Sequence, residues 1–485
     1  MEKYISKIAM LLLTGTMTFV GCTSSFDEVN TDPDRPTDVP ATNMLAFCER
    51  YASDSMFDEW FDLNESSGFA GQISKLMYTE EGYYNFRPNV NNNSWYYCYR
   101  VISNLQDVID KSKKEGNVNM EAVATVFQCQ VFQVVTDRWR DVPFTEASSY
   151  ETIKTPKYDT QETIYPALLE KLKVAADALG TGDDEIGSGD ILLGGDLDAW
   201  RRYCNSLRLR MAMRISDVAS ATAKVTVEEI LGNPAKYPLV DSNESNVFFT
   251  AWGTEYNEPW ADYYRNRANE YGVSETLVNK LKSLSDPRLS VYATPASANS
   301  QYVGYPNGLK AYATVSGVSK LGTRFMARDN FEGFTPYFRS SETYFEIAEA
   351  SLKGYNTGTS AEEAYNKAVR LSLEENGIPE AEIVSYLSGS AKYDGTKEQL
   401  FTQLWISLFK QGMEAWSSYR RSGYPTENKV APDSYYPGHN TPPFRYTYPD
   451  TELNLNPGNA KPAQAEIVDY FWGKQMWWDT RKGVN

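Results

Sequence analysis

The sequence predicts a mostly α-helical protein. Apolar residues recur at helical spacing in long stretches, two of these open at capping-box spacing, and one stretch reads as two helices joined by a tight turn. Within residues 199–216, Trp200, Tyr203, Cys204, Leu207, Met211 and Ile215 share one helical face. Within 398–425, Phe401, Leu404, Trp405, Leu408, Gly412, Ala415, Trp416 and Tyr419 form one stripe, which Gly423 and Pro425 end. Trp95, Tyr99, Trp405 and Trp416 sit on such stripes and are expected in the core. Residues 158–179 open with Asp159 and Glu162 at capping-box spacing.

The stretch "SETYFEIAEASLKGYNTGTSAEEAYNKAVRLSLEENG" (341–377) gives two helices around a Gly/Asn/Thr turn, with Ser360 and Glu363 boxing the second. It resembles one tetratricopeptide repeat unit, which buries its apolar face only by stacking on neighbours. Residues 63–93, 241–272, 293–340 and 424–465 lack any period and are rich in Gly, Asn, Pro, Tyr and Trp. Loops this long are functional or disordered, and their aromatic content argues against disorder.

The N-terminus reads as an export signal over residues 1–21. Lys3 and Lys7 precede an apolar run from Ile8 to Val20, shorter than the roughly 20 residues of a membrane span. Gly21 is small enough for a peptidase site, and Cys22 is expected to carry lipid. The competing reading is an ordinary secretory signal with an incidental cysteine. A single acyl chain holds a protein only marginally, so stable anchoring takes more than one. Residues 22–40 have the Ser, Thr, Asp and Pro content of a tether. Residues 41–485 then form the body, with no further linker dividing them.

The formal net charge is −17, and loss of residues 1–21 makes it one unit more negative. That balance excludes nucleic acid as a partner, because phosphate backbones are bound by Lys and Arg. Cys48, Cys98, Cys129 and Cys204 show no CxxC or CxH spacing, so no zinc site is expected. They are read as buried thiols, with a disulfide as the alternative. No P-loop, HExxH, Ser-His-Asp or nucleotide fingerprint is present, and the one histidine, His439, lies in a loop. No cofactor, metal or catalytic residue is expected. Asp137, Asp141, Glu146, Arg208, Arg210 and Arg214 are expected to form structural ion pairs, since charges on apolar helices persist when paired.

Several segments in order carry a resemblance. "TDRWRDVPFTEA" (136–147), "GGDLDAWRRYCNSLRLRMAMRIS", "SDPRL", "YVGYPNG", "SETYFEIAEA", "LWISLFKQGMEAWSSYRRSGYP" and the late "WWD" are similar to blocks of the SusD/RagB-like lipoproteins. The resemblance runs from Cys22 to about Asp479. One departure is Arg140, where the family usually has Gly. The resemblance implies a helical body of about four tetratricopeptide-like units packed with a loop-rich, aromatic-rich region. It also implies a lipid-anchored protein on the cell surface of the outer membrane. Such a protein captures oligosaccharides and acts as the lid of a SusC-like TonB-dependent transporter. A peptide ligand, or a structural lid with little ligand contact, remains open, and an enzyme acting on glycans is disfavoured.

Candidate ligand contacts are sought in the loops, where flat aromatics would cover sugar faces and Asn, Asp and Arg would bond the rim. Tyr83, Tyr84, Phe86, Trp252, Tyr256, Asn257, Trp260, Arg265 and Tyr302 are expected there, with Tyr78, Tyr263, Tyr305, Phe334 and Tyr337 nearby. Trp252, Trp260 and Tyr83 are expected to be exposed. The bland alternative is that these rings cement loops to helices.

Overall fold

The computed structural model describes residues 39–149, 152–252, 257–326 and 333–484, and in 264–266 the backbone alone. The expected signal peptide, Cys22, the tether up to residue 38, Tyr256 and the side chain of Arg265 lie outside the described residues.

The body is built from helices that turn back on one another. Helix α1 spans Ala41–Met56, α2 Pro88–Glu115 and α3 Val118–Trp139. Pro88 starts α2 where a missing N–H costs nothing. Gly116 ends it at φ +74, and the Asn117 side chain caps α3 on the amide of Met120 at 2.8 Å. One Gly-Asn turn thus folds α3 back onto α2. Helices α4 (Gln161–Ala178), α5 (Leu197–Arg214) and α6 (Ser220–Gly232) continue the stack. A short helix α7 covers Pro259–Arg267 and α8 covers Glu275–Ser283. The second half adds α9 (Ser340–Leu352), α10 (Ala361–Glu375), α11 (Glu380–Ser388), α12 (Lys397–Ser407) and α13 (Gly412–Ser422). The α9–α10 pair is the expected hairpin, and its Ser360–Glu363 capping box is fully formed. The protein is mostly α, as expected.

Strands are few and short, in three antiparallel pairs among the described residues. They are β1 (Ile73–Lys75) with β3 (Tyr271–Val273), β2 (Val247–Phe249) with β6 (Thr335–Phe338), and β4 (Ala293–Thr294) with β5 (Lys320–Leu321). Gly272 pairs with Ser74, and a Cβ at Gly272 would lie 2.7 Å from the Ser319 carbonyl. The ribbon therefore accepts the 319 segment only because that position has no side chain.

Trp200, Trp405, Trp416 and Trp478 are fully buried, each worth roughly 1.5–3 kcal/mol or more of apolar transfer. The four cysteines are buried and free. The suspected charges do pair. Arg210 grips Glu342 in two places, with Nη2 at 2.8 Å from Oε2. Arg214 donates to Asp137 at 2.8 Å and also pairs with Glu414. Asp137 accepts in addition from Tyr165 (2.6 Å) and from the indole of Trp478 (2.9 Å). Arg208 pairs with Glu229 at 2.8 Å. Desolvating such groups costs several kcal/mol each, so each charge must be answered in place, and here each is.

Arg140 ends α3 at φ +71, ψ −99, a backbone region suited to glycine. The departure noted in the sequence therefore carries a local strain.

Candidate ligand-binding surface

A buried carboxylate shapes the first loop of this surface. Glu81 is 1% exposed and takes Lys75 Nζ at 3.0 Å and Arg87 Nε at 2.9 Å. The Arg87 guanidinium also lies 5.0 Å from the Trp60 ring centre. Both ends of residues 75–87 are thus pinned to one charge. Within the loop, two tyrosines hold positive φ and go opposite ways. Tyr84 (φ +71) is buried, and its hydroxyl accepts from the Ala431 amide at 3.0 Å. Tyr78 (φ +51) is 51% exposed. Backbone strain at a non-glycine residue costs about 1–3 kcal/mol and persists where the surroundings enforce it.

A second loop is laced to the first. Thr79 Oγ1 donates to the Lys310 carbonyl at 3.2 Å, and the Ala313 amide to the Leu76 carbonyl at 2.9 Å. This brings Tyr312, 54% exposed, to 6.0 Å from Tyr78, ring centre to ring centre, at 58°. Lys310 Nζ lies 5.3 Å from the Tyr83 ring. A third loop joins beside them. Asp433 accepts the Lys310 amide at 2.8 Å, and the Tyr435 amide donates to the Tyr83 carbonyl at 2.8 Å. Tyr435 meets Tyr436 at 5.2 Å, and Tyr436 meets Tyr470 at 5.4 Å. Two tyrosine groups, Tyr78 with Tyr312 and Tyr435 with Tyr436 and Tyr470, thus stand on loops joined through Lys310, Asp433 and Tyr83.

The expected contacts distribute unevenly. Tyr83 belongs to this surface and is half-buried. Phe86 is half-buried but packs edge-on to Phe471 at 4.7 Å and near Phe69 at 5.6 Å. Tyr302 is half-buried against the core. Trp252 and Trp260 correct the expectation of exposed rings, at 3% and 0% exposure, and Tyr84, expected as a ligand contact, is buried at 2%. Trp260 is fixed by an indole hydrogen bond to Asp62 at 3.1 Å. Trp252 packs edge-on to Phe249 at 4.9 Å, with the Arg50 guanidinium 4.7 Å from its ring. Phe334 and Tyr337 are likewise buried. These rings cement loops to the core and offer no face to a ligand. Asn257 bonds Asp262 at 3.1 Å, away from the tyrosines in sequence, beside a pocket of about 260 Å³.

That pocket gathers Asp54, Asp58, Glu59 and Asp262. Burial pushes the Asp58 carboxyl up to about 8, against the pull of the Phe61 and Trp60 amides that it caps. Burial likewise raises Glu59 to about 7, although Arg267 and Lys75 oppose it. Among the described residues, no group of three or more His, Cys, Asp or Glu is placed to hold a metal ion.

Tyr312, Tyr435, Tyr436 and Tyr470 escaped the sequence reading. Their exposure follows from how three distant loops meet, and the neighbouring residues of each look like those around buried tyrosines.

The fold and this surface define a class: a helical-repeat protein that presents a loop-built, tyrosine-rich face. The chain matches, over residues 35–449, the SusD-like family described as "Starch-binding associating with outer membrane". It belongs to that family. Among solved structures it is similar to a chitin-binding protein, at 26% identity and TM-score 0.80, covering 91% of this chain and 100% of that one. It is similar to a SusD-like protein from Bacteroides thetaiotaomicron VPI-5482, at 23% identity and TM-score 0.80, covering 92% and 100%. A chitin-binding SusD homolog from Flavobacterium johnsoniae shares the fold at 22% identity and TM-score 0.79, covering 90% and 98%. No curated protein matches the chain. No described helix is long and apolar enough to cross a membrane.

Proposed function

We propose that this protein captures oligosaccharides at the outer-membrane surface, held there by lipid on Cys22, and passes them to a SusC-like TonB-dependent barrel as its lid. The observation that carries the reading is the outward pair Tyr78–Tyr312 beside Lys310 and Asp433. Two phenol rings cover the apolar C–H face of a sugar, and the adjacent charges bond its hydroxyl rim. Covering apolar surface gains about 25 cal/mol per Å², so two rings supply a few kcal/mol before the costs of association. The family description and the chitin-binding relatives support a glycan over a peptide. The role is binding without turnover.

The test is a glycan array set beside a peptide-pool pull-down with the purified protein. Binding of at least one oligosaccharide series supports the reading. Retention of peptides alone points to a peptide receptor. Binding of neither, with recovery of the barrel intact, leaves a structural lid. Recovery of the solubilised protein only as a free monomer, across mild detergents, counts against the lid role.

A further inference from the structure

We propose that Tyr435, Tyr436 and Tyr470 form a second saccharide subsite, continuous with the Tyr78–Tyr312 platform, through which the surface selects longer oligosaccharides. This rests on the capture reading above and extends it to ligand length.

Tyr435 and Tyr470 are 58% and 59% exposed. Tyr436 stands between them on a firm base, edge-on to Phe471 at 5.5 Å and 5.9 Å from buried Trp472. The turn that presents Tyr435 and Tyr436 is fixed locally, because Ser434 Oγ donates to the Tyr436 carbonyl at 2.7 Å and accepts its amide at 3.1 Å. Tyr470 holds φ +40. Exposed tyrosines in left-handed backbone therefore occur in both ring groups, Tyr78 in one and Tyr470 in the other. A solvated ring gains nothing from such strain, so its presentation points to a use.

The two groups share one surface. The Tyr435–Tyr83 backbone bond and the Asp433–Lys310 bond join their loops directly. Among the described residues, none hydrogen-bonds the hydroxyls of Tyr78, Tyr312, Tyr435 or Tyr470, so all four phenols are free to bond sugar hydroxyls. Two ring groups on loops joined at Lys310 and Asp433 suit a chain of sugar units with alternating apolar faces and polar edges.

Chito-, malto- and xylo-oligosaccharides of two to six units are titrated calorimetrically into wild type and two double variants. The wild type should gain affinity with length in the series it binds. Tyr435→Ala with Tyr470→Ala should leave the two-unit ligand within about twofold and lower six-unit affinity at least tenfold, which is about 1.4 kcal/mol. Tyr78→Ala with Tyr312→Ala should weaken every length. The subsite is overturned if the first variant binds all lengths as wild type does, or loses equally at every length. Unchanged glycan affinity with poorer recovery of the barrel would make these tyrosines a protein interface and overturn it too. If wild type binds a series with no gain beyond two units, the subsite fails while capture stands. If it binds no series at all, capture itself fails and the subsite with it. Thermal melts of both variants confirm folding, since the substituted rings are exposed.

Discussion

The indole Nε1 of Trp260 donates to the Asp62 carboxylate at 3.1 Å, joining α7 to an eight-residue π-helical stretch, Glu59–Ser66, 198 positions earlier. Burial pushes the Asp62 carboxyl up to about 7, against the hydrogen bonds from Ser67 and Trp260. The backbone closes tightly around it, for a Cβ at Gly412 would fall 2.1 Å from Asp62 Oδ1. Trp260→Phe keeps the apolar ring and deletes the donor. It should cost at least about 1–3 kcal/mol of stability, the penalty for an under-bonded buried polar group, with the volume lost from indole to phenyl at this buried site adding to it. Oligosaccharide affinity should not change. Urea unfolding paired with calorimetry checks both halves.

Tyr78→Ala and Tyr312→Ala should behave in the opposite way. Both rings are half or more exposed, so unfolding free energy should move by less than about 0.5 kcal/mol. Each should lower affinity for the bound oligosaccharide about tenfold, because binding energy concentrates in a few aromatic anchors. A large fall in melting temperature with unchanged affinity would return these rings to a structural role.

Arg140→Gly should stabilise the protein. The strain at φ +71, ψ −99 is worth about 1–3 kcal/mol. Against it stand glycine's extra freedom when unfolded, about 0.5–1 kcal/mol, and the largely buried pair with Asp141, one of three contacts to that carboxylate, about 1 kcal/mol. Asp141 keeps Lys474 at 2.7 Å and the Gln161 amide at 2.9 Å. The strain term is the largest, so the net gain should be at most about 1 kcal/mol. Thermal and urea melts of the variant measure it.

The acidic pocket should make stability depend on pH. With Asp58 raised to about 8 and Glu59 to about 7, the folded protein holds protons that the unfolded chain has released. Their contribution is fully present below the ordinary carboxylate range, about pH 4, and is lost as pH rises through about 7 and 8. Melting temperature should therefore fall between pH 5 and 8 on their account. Asp58→Asn with Glu59→Gln should flatten that slope. Asn at 58 still offers an oxygen to the Trp60 and Phe61 amides, so the helix cap survives. An unchanged slope in the double variant would place the dependence elsewhere.

Cys22→Ala should move the protein from the membrane fraction to the soluble one. A high-salt wash of membranes from cells lacking the transporter, followed by blotting, tests this. Retention there would end the lipid-anchor reading.

The helices at Trp405 and Ser360 were legible because a stripe of period 3.6 follows a formed cap. The box expected at Asp159 and Glu162 does not form, because α4 starts at Gln161 after an uncapped Thr160 and Asp159 instead accepts the Phe144 and Thr145 amides. The ion pairs were legible too, since Arg210 and Arg214 on an apolar helix demand partners. The loop residues followed another logic. Trp252 and Trp260 belong to no stripe, yet β2 and α7 fold them into the core through partners far away in sequence. Tyr78, Tyr84 and Tyr470 all hold a positive φ that tyrosine itself does not favour, yet Tyr84 is buried and the other two are exposed, so neither the φ nor the exposure could be read from local sequence. The tyrosine-lined surface exists only once three loops have met.

The bond from Trp478 to Asp137 spans 341 positions and enters the central cluster with Arg214 and Glu414. In the folding chain, then, this cluster stays open until residues near 478 dock. Early helix hairpins such as α2–α3 form locally and fast, whereas closure of the cluster waits on a contact of very long sequence separation. A chain halted before Trp478 would keep its hairpins and leave Asp137 a donor short. It would be a partly ordered product, exposed to proteolysis.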